Sequence, residues 1–327
     1  MKKMTLSKAT GMAKGGAGLP GKALTAADFI LPDSEIEELV LRNTRQAFDA
    51  EDPKWREVES KEISRRRLGI RAYLRRLLTR GRNVRKRGAV SELYEDFWTN
   101  AQTADHVSRQ GKRTLAMRWR NRGMLVSPQL LRQVHIAYLM HAIETIRPKR
   151  VLEVGCGNAN VLFALASRFP EIEFAGVELT AAGVAAAKNM QAETELPQSF
   201  AAASPQPPRD LTAHRRVDVR QADARALAFP DRSFDLVYTR LALEQMEEIR
   251  NQVMKEVARV AAEALVLIEP WRDFNISGPG RDYIRRQGYF TAKARHLARF
   301  GFAVVYASDD IPQKVQMSSG PVVALRK

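Results

Sequence analysis

The 327-residue chain has a single cysteine, Cys156, so no disulfide can form within it. That absence excludes small disulfide-stapled folds and points to a reducing, cytoplasmic setting. Long apolar runs are missing too. None approaches the roughly 18 residues that a membrane helix needs, and the longest, such as Ala264–Ile268, have the length of a core strand. Histidines are few and scattered. His106, His135, His141, His214 and His296 show no ligand spacing, and with Cys156 isolated no metal site is expected. Met1–Lys22 lacks both acids and arginine, and it has neither an uninterrupted apolar core nor a clear cleavage pattern of a secretory signal. Its lysines and helix-weakening glycines read as a basic disordered tail, taken as residues 1–25.

Acid is almost absent from one further stretch. Between Lys61 and Arg87 arginine and lysine recur and Glu62 is the one acid, within a chain of net charge +16. Such asymmetry speaks of partners rather than of fold. The spacing of Ile70, Tyr73, Leu74, Leu77 and Leu78 predicts a helix over Ser64–Thr79 with one apolar face and arginines opposite. That face suits nucleic-acid phosphates or an anionic membrane surface, and equally a solvated helix docked on a larger domain. Residues 26–127 as a whole read as a basic helical region: Asp33–Phe48, Glu92–Trp98 and Thr114–Trp119 are expected to be helical, with Tyr94, Phe97 and Trp98 as core aromatics.

Gln129–Ile146 predicts a strong helix ended by Pro148, and from Lys149 short apolar runs alternate with helical ones. Strands are expected at Val151–Val154, Ile172–Val177, Val217–Val219, Asp235–Tyr238 and Ala264–Ile268. Helices are expected from Val161, over Ala181–Met190 and over Glu247–Ala262, and Phe302–Tyr306 with Val322–Leu325 close the fold. This pattern implies an α/β domain over residues 128–327. Its sheet is buried and mostly parallel. Ala192–Arg215, polar and proline-containing, reads as a surface insertion.

Three motifs sit at strand ends. Glu153-Val154-Gly155-Cys156-Gly157 joins a strand to a helix, where glycines allow a sharp turn and close approach of a ligand. Cys156, between two glycines, reads as a small residue that fits rather than as a nucleophile. Glu178 ends the next strand, about 20 residues on, where a carboxylate can accept both hydrogen bonds of a ribose diol. Gln221-Ala222-Asp223-Ala224 and Phe229-Pro230-Asp231-Arg232-Ser233-Phe234-Asp235-Leu236-Val237 then bracket a strand start.

Together these motifs, over about Gln129 to Lys327, resemble the class I S-adenosylmethionine (SAM)-dependent methyltransferase superfamily, and within it the small-molecule and glycan methyltransferases. The resemblance implies a Rossmann-like sheet with an antiparallel last strand and helices on both faces, and SAM as cofactor. By it, Gly155 and Gly157, with Cys156 between them, cradle the methionine part; Glu153 helps place its amino group; Glu178, followed by Leu179, holds the ribose hydroxyls; Asp223 accepts from the adenine amino group with Ala224 beside it. Arg240 is added to the cofactor-contacting set. Tyr238, Arg240, Glu244 and Gln245 fall near the expected mouth, and Glu244 is the candidate general base. The acceptor implied is a small molecule or glycan, with RNA bound through Lys61–Arg87 as the alternative. A basic nucleic-acid or membrane-binding module with non-catalytic SAM occupancy stands outside the enzyme class. Three positions depart from the family: Ala159 replaces the usual third glycine, Glu244-Gln245 replaces a frequent histidine pair, and Ala261-Ala262-Glu263-Ala264 replaces a Pro-Gly-Gly turn. An Asn/Asp-Pro-Pro-aromatic signature is absent near Thr239–Leu243, which argues against the amino-group methylating subclasses that carry it.

Overall fold

A computed structural model describes residues 23–65, 92, 94–99, 114–201, 204–287 and 289–327. Most of the tail, the helix expected over Ser64–Thr79, most of Lys61–Arg87 and His106 lie outside the described residues. In chain order the elements begin with helix α1 (Asp33–Asn43), strand β1 (Thr44–Asp49), helix α2 (Pro53–Arg65) and the hairpin β2 (Leu115–Trp119) and β3 (Arg122–Val126). Helix α3 (Gln129–Ile146) leads into β4 (Arg150–Val154), α4 (Asn160–Arg168), β5 (Glu173–Glu178), α5 (Ala181–Ala192), β6 (Asp218–Gln221), β7 (Phe234–Arg240), α6 (Arg250–Val260) and β8 (Ala261–Glu269). Helix α7 (Gly278–Gln287), β9 (Phe302–Ala307), β10 (Gln313–Lys314) and β11 (Gly320–Arg326) complete the order.

Seven strands form one sheet in the order β6-β5-β4-β7-β8-β11-β9. The first five run parallel, and β11 is antiparallel to both β8 and β9. Period-two alternation sorts the strands' side chains into two cores. Val151, Leu236, Tyr238 and Val266 join the core shared with α3 and α4, while Leu152, Val154, Val237, Leu265 and Leu267 join the core shared with α6. Apolar burial on both faces is why these strands are continuous hydrophobic runs. The parallel strands all end at one edge, where Gly155–Gly157, Glu178 and Asp223 are found, whereas Phe229–Phe234 leads into β7 at the other end.

The N-terminal region departs from the helical expectation. Helix α1 stops at Asn43 and Thr44 opens β1, so Asp33–Phe48 is a helix followed by a strand. Asn43 Nδ2 donates to Leu39 O (2.8 Å) and to Gln133 Oε1 (2.7 Å), and the Thr44 hydroxyl donates to Val40 O (2.7 Å). These bonds close the last turn of α1 and tie it to α3, freeing residues 44–49 to pair with β3. Thr114–Trp119 is likewise not helical: β2 and β3 make a hairpin around Arg120–Asn121. With β10 they form a second sheet, β1-β3-β2-β10. Trp55 of α2 packs so closely on Gly123 that a Cβ there would lie 2.1 Å from its ring, so only glycine fits.

The stretch 192–215 is more tightly held than a loose insertion. Leu196 N–H donates to Leu211 O (2.7 Å), and Arg209 and Asp210 N–H both donate to Ser167 O on α4 (2.8 and 3.0 Å). Leu196 and His214 are buried.

Candidate functional site

The glycine turn after β4 is shaped by its backbone. Gly155 and Gly157 adopt positive φ angles of 79° and 56°. The N–H groups of Gly155 and Cys156 both donate to Val177 O on β5 (2.8 and 3.0 Å), which leaves the turn folded back over the neighbouring strand. Gly157 N–H donates to Glu178 Oε2 (2.9 Å), and Glu178 Oε1 accepts from the N–H and hydroxyl of Thr180 (3.0 and 2.7 Å). The expected cradle and the expected ribose carboxylate are therefore one hydrogen-bonded unit. Ala159 takes a left-handed conformation (φ 59°) at the start of α4, the conformation that a third glycine would adopt without strain. Cys156 is buried against Gly176, and burial, with Glu153 and Glu178 beside it, pushes its thiol pKa well up. A protonated, enclosed thiol fills space and is no nucleophile.

The next strand end adjoins this unit. Ala222 N–H donates to Glu178 O (2.9 Å), and Gln221 Nε2 donates to Leu179 O (3.1 Å). Asp223 is placed along the same edge, but its carboxylate is held by Arg225, whose Nη2 lies 2.8 Å from Oδ2 and whose backbone N–H reaches Oδ1 at 3.0 Å. Ala224, next to it, is buried.

Beyond β4 and β7 lies a second, more enclosed group. Tyr238 donates its hydroxyl proton to Glu153 Oε2 (2.9 Å). Burial raises the Glu153 pKa to about 7, against the pull of the Tyr238 hydroxyl and of Arg240 nearby. Burial also lowers the pKa of the Arg240 guanidinium, and its Nε is enclosed with no hydrogen-bond partner. His135 on α3 is fully buried with both ring nitrogens unpartnered. Burial, then the charges of Arg240 and Lys314, push its pKa well down, so it is neutral.

Glu244 is buried rather than open to the mouth. Its N–H donates to Glu269 Oε2 (3.2 Å), and its Oε1 accepts from Gln245 Nε2 (2.8 Å), which also donates to Tyr289 Oη (3.1 Å). Glu269 ends β8 and organises the whole turn. It accepts from the Thr239 hydroxyl (2.8 Å) and from the N–H groups of Ala242 and Leu243 (both 3.1 Å). Burial and the neighbouring Glu244 push its pKa up, and these donors pull it back. Sequence reasoning ends this strand at Ile268 and assigns Glu269 no role. An acid closing an otherwise apolar run, Leu265–Ile268, is the signal that marks it.

Trp98 is the other residue that the motifs leave out. The helical residues 94–99 lie on the donor side, where Ala182 N–H at the start of α5 donates to Glu95 Oε1 (2.9 Å). The indole of Trp98 rests on the glycine turn: a Cβ on Gly157 would lie 2.4 Å from its Cζ2. Here an expected core aromatic stands at the site itself. A separate cavity of about 490 Å³ lies at the opposite end of the sheet, among Arg150, Glu173, Arg216 and Asp218; Phe229, Pro230 and Phe234 of the third motif line it, and Gly155, Gly157, Glu178 and Asp223 do not. Among the described residues, no group of three or more His, Cys, Asp or Glu could hold a metal, and no helix is long and apolar enough to cross a membrane.

A family model described as a methyltransferase domain matches residues 152–264. Among solved structures, the chain is similar to a SAM-dependent methyltransferase from Methanosarcina mazei (19% identity over 54% of this chain and 92% of that one, TM-score 0.39). It is also similar to magnesium protoporphyrin IX methyltransferase from Synechocystis PCC 6803 with bound SAM (15% identity, 73% of this chain and 97% of that one, TM-score 0.43). A third is the PH0226 protein from Pyrococcus horikoshii OT3 (17% identity, 62% and 92%, TM-score 0.42). No match to a curated protein is found. The residues present suit SAM: a locked carboxylate for a diol, a glycine turn with no side chain of its own to bar close approach, and a seat that accommodates a flat aromatic ring. Residues 152–264 thus match a methyltransferase domain, and the cradle described above lies within that match.

Proposed function

We propose that the chain methylates a small molecule or glycan. The observation that carries this reading is the enclosure of the strand ends beyond the donor side: Glu153, Tyr238, Glu244, Glu269 and Tyr289 are all buried. Strand ends whose polar side chains are this enclosed suit an acceptor, or an acceptor terminus, small enough to reach them. SAM supplies a methyl group already activated by its sulfonium. The chain's task is alignment and exclusion of water, which can contribute most of a displacement's acceleration. Gly155, Gly157 and Glu178 hold the donor; Leu179, Asp223 and Ala224 line its adenosine end; Glu153 and Arg240 stand at its methionine end. Glu244, fixed by Gln245 and by the Glu269 turn, takes the acceptor's proton. The single cysteine and the want of a membrane-spanning helix among the described residues suit a cytoplasmic enzyme.

The test is methyl-tritiated SAM incubated with the full chain and cell extract, the label then fractionated into small-molecule, glycan, lipid, protein and RNA pools. Label in the first two pools supports the reading. Label in RNA assigns Lys61–Arg87 to phosphates instead. SAM binding without turnover, joined to salt-sensitive retention on nucleic acid or anionic vesicles, replaces the enzyme reading with a binding module. Once an acceptor is in hand, Glu244→Gln should lower kcat about 10²-fold or more with little change in SAM affinity.

A further inference from the structure

The donor seat has an occupant in this structure, and it belongs to the chain. The indole of Trp98 reaches from one glycine of the site to another across Glu178. A Cβ on Gly157 would lie 2.4 Å from Trp98 Cζ2 and 3.0 Å from Cη2. A Cβ on Gly183, in the first turn of α5, would lie 3.2 Å from Trp98 Cδ1 and 2.9 Å from Glu178 Cγ. Non-bonded carbon atoms sit at about 3.5–4.0 Å. The ring is therefore in direct contact with the backbone that a ligand at the Gly157 turn has to touch, and no second layer fits beneath it.

We propose that Trp98 is an in-cis plug of the donor seat, and that SAM binds only as the helical residues 94–99 lift the indole away. This rests on the reading that the donor binds at Gly155–Gly157 and Glu178. A ring built to line a filled site would stand one ligand's thickness from Gly157; this one is packed against it. Trp98 Nε1 is buried with no hydrogen-bond partner, an arrangement that favours release of the indole to water. Phe97, which meets the Trp98 ring edge-on at 4.9 Å, is itself exposed. Ala182 N–H donates to Glu95 Oε1 (2.9 Å), which caps the first turn of α5, and water can replace this acceptor. The sequence alone gives no sign of this contact because Trp98 and Gly157 are far apart along the chain and Trp98 belongs to none of the motifs.

The experiment compares the full-length wild type with Trp98→Ala and Trp98→Phe, using S-adenosylhomocysteine as the probe in isothermal titration calorimetry. Removal of the plug should tighten binding about tenfold in Trp98→Ala, with Trp98→Phe in between. The fluorescence difference between wild type and Trp98→Phe should shift to the red on adding the probe, as the indole enters water. Equal or weaker binding by Trp98→Ala, or a Trp98 emission that stays blue in the bound state, overturns the plug while leaving the donor site standing. If none of the three proteins binds the probe, the plug and the donor-site reading fall together. Should Trp98→Ala not fold, Glu95→Ala frees the segment without touching the seat and should also tighten binding; unchanged or weaker binding there overturns the proposal.

Discussion

The seven-stranded sheet draws its strands from residues 150–326, most of them parallel and joined by helices that cover both faces, whereas the four-stranded sheet reaches from Thr44 to Lys314. The first is held by apolar burial on two sides. The second has a thin core of Phe48, Trp55, Ala116 and Val315 and relies on polar clamps that fasten distant segments: Asn43 to Gln133, Trp119 to Asp310, and Gln313 to the backbone on either side of it. The difference also sorts charge. Among the described residues, the buried acids Glu153, Glu178, Glu244 and Glu269 all lie at strand ends or turns of the seven-stranded sheet. The larger core tolerates buried charge where the chemistry needs it; the smaller sheet buries amides instead, which satisfy donors and acceptors without a charge to desolvate.

The largest expected effect tests that division. Glu269→Ala removes the acceptor for the Thr239 hydroxyl and for the N–H groups of Ala242, Leu243 and Glu244 in a place with no access to water. It should cost about 3–5 kcal/mol of stability. Gln313→Ala loses two donations, to Asp309 O (2.8 Å) and Ser319 O (2.7 Å), and one acceptance from Ser319 N–H (2.8 Å), and should cost about 1–3 kcal/mol. Urea unfolding monitored by circular dichroism gives both numbers. A Gln313→Ala loss equal to or above that of Glu269→Ala would break the comparison, by making the small sheet the stronger determinant of stability.

The same division explains what could be read in advance. The alternation from Lys149 onward, the Gly155–Gly157 turn and Glu178 are local patterns, each a few residues long and backed by a core that accepts any apolar strand of the right length. Hence helix Gln129–Ile146 and the parallel strands fall where the sequence places them. Strands β1 and β2 do not, because their pairing is decided far away: Gln313 pairs with Arg118, and Thr44 with Val126. Leu115, Met117 and Trp119 already alternate as a strand would, yet five residues do not separate strand from helix without their partner. At the site, the position of Glu178 at the end of β5, next to the glycine turn, was legible because one residue type at one spacing marks it. The enclosure of Glu244 was not, since it depends on Glu269 from the end of another strand. Trp98 was legible as an aromatic that packs, and its place on Gly157 is a tertiary fact with no sequence period behind it.

An intermediate effect sharpens the charge side of the comparison. Glu153 is held in the fold with a pKa of about 7, above its ordinary 4.5, chiefly through burial. The folded state therefore binds a proton more tightly than the unfolded chain. Stability should fall as pH rises from 4.5 through 7 and level off above, by up to about 3 kcal/mol. Glu153→Gln keeps an acceptor for the Tyr238 hydroxyl and removes the Glu153 titration, so melting curves across this range should become shallower, leaving the share of the slope that belongs to Glu269. A slope unchanged in Glu153→Gln would move the buried titration to another acid of the cluster.

The smallest effects come from two residues that share one backbone conformation, one beside each sheet. Ala159 (φ 59°) is buried at the start of α4, and Arg120 (φ 53°) is in the β2–β3 turn. A left-handed conformation costs a non-glycine residue about 1 kcal/mol, which glycine relieves. Ala159→Gly gives up a buried methyl worth about 0.8 kcal/mol, so the two terms nearly cancel and stability should change by less than about 0.5 kcal/mol. Arg120→Gly gains the same relief. It loses ion pairs with Asp33 (2.6 Å) and Asp310 (3.4 Å) and the stacking of the guanidinium 4.4 Å above the Trp119 ring. Exposed pairs of this kind are worth about 0–1 kcal/mol each, so Arg120→Gly should cost up to about 1 kcal/mol at low salt. Salt separates the two. Screening should shrink the Arg120→Gly loss at 1 M sodium chloride and leave Ala159→Gly unmoved. A salt-independent Arg120→Gly loss would mean that the turn is held by the ring contact, and that the small sheet is apolar at its edge as well as in its core.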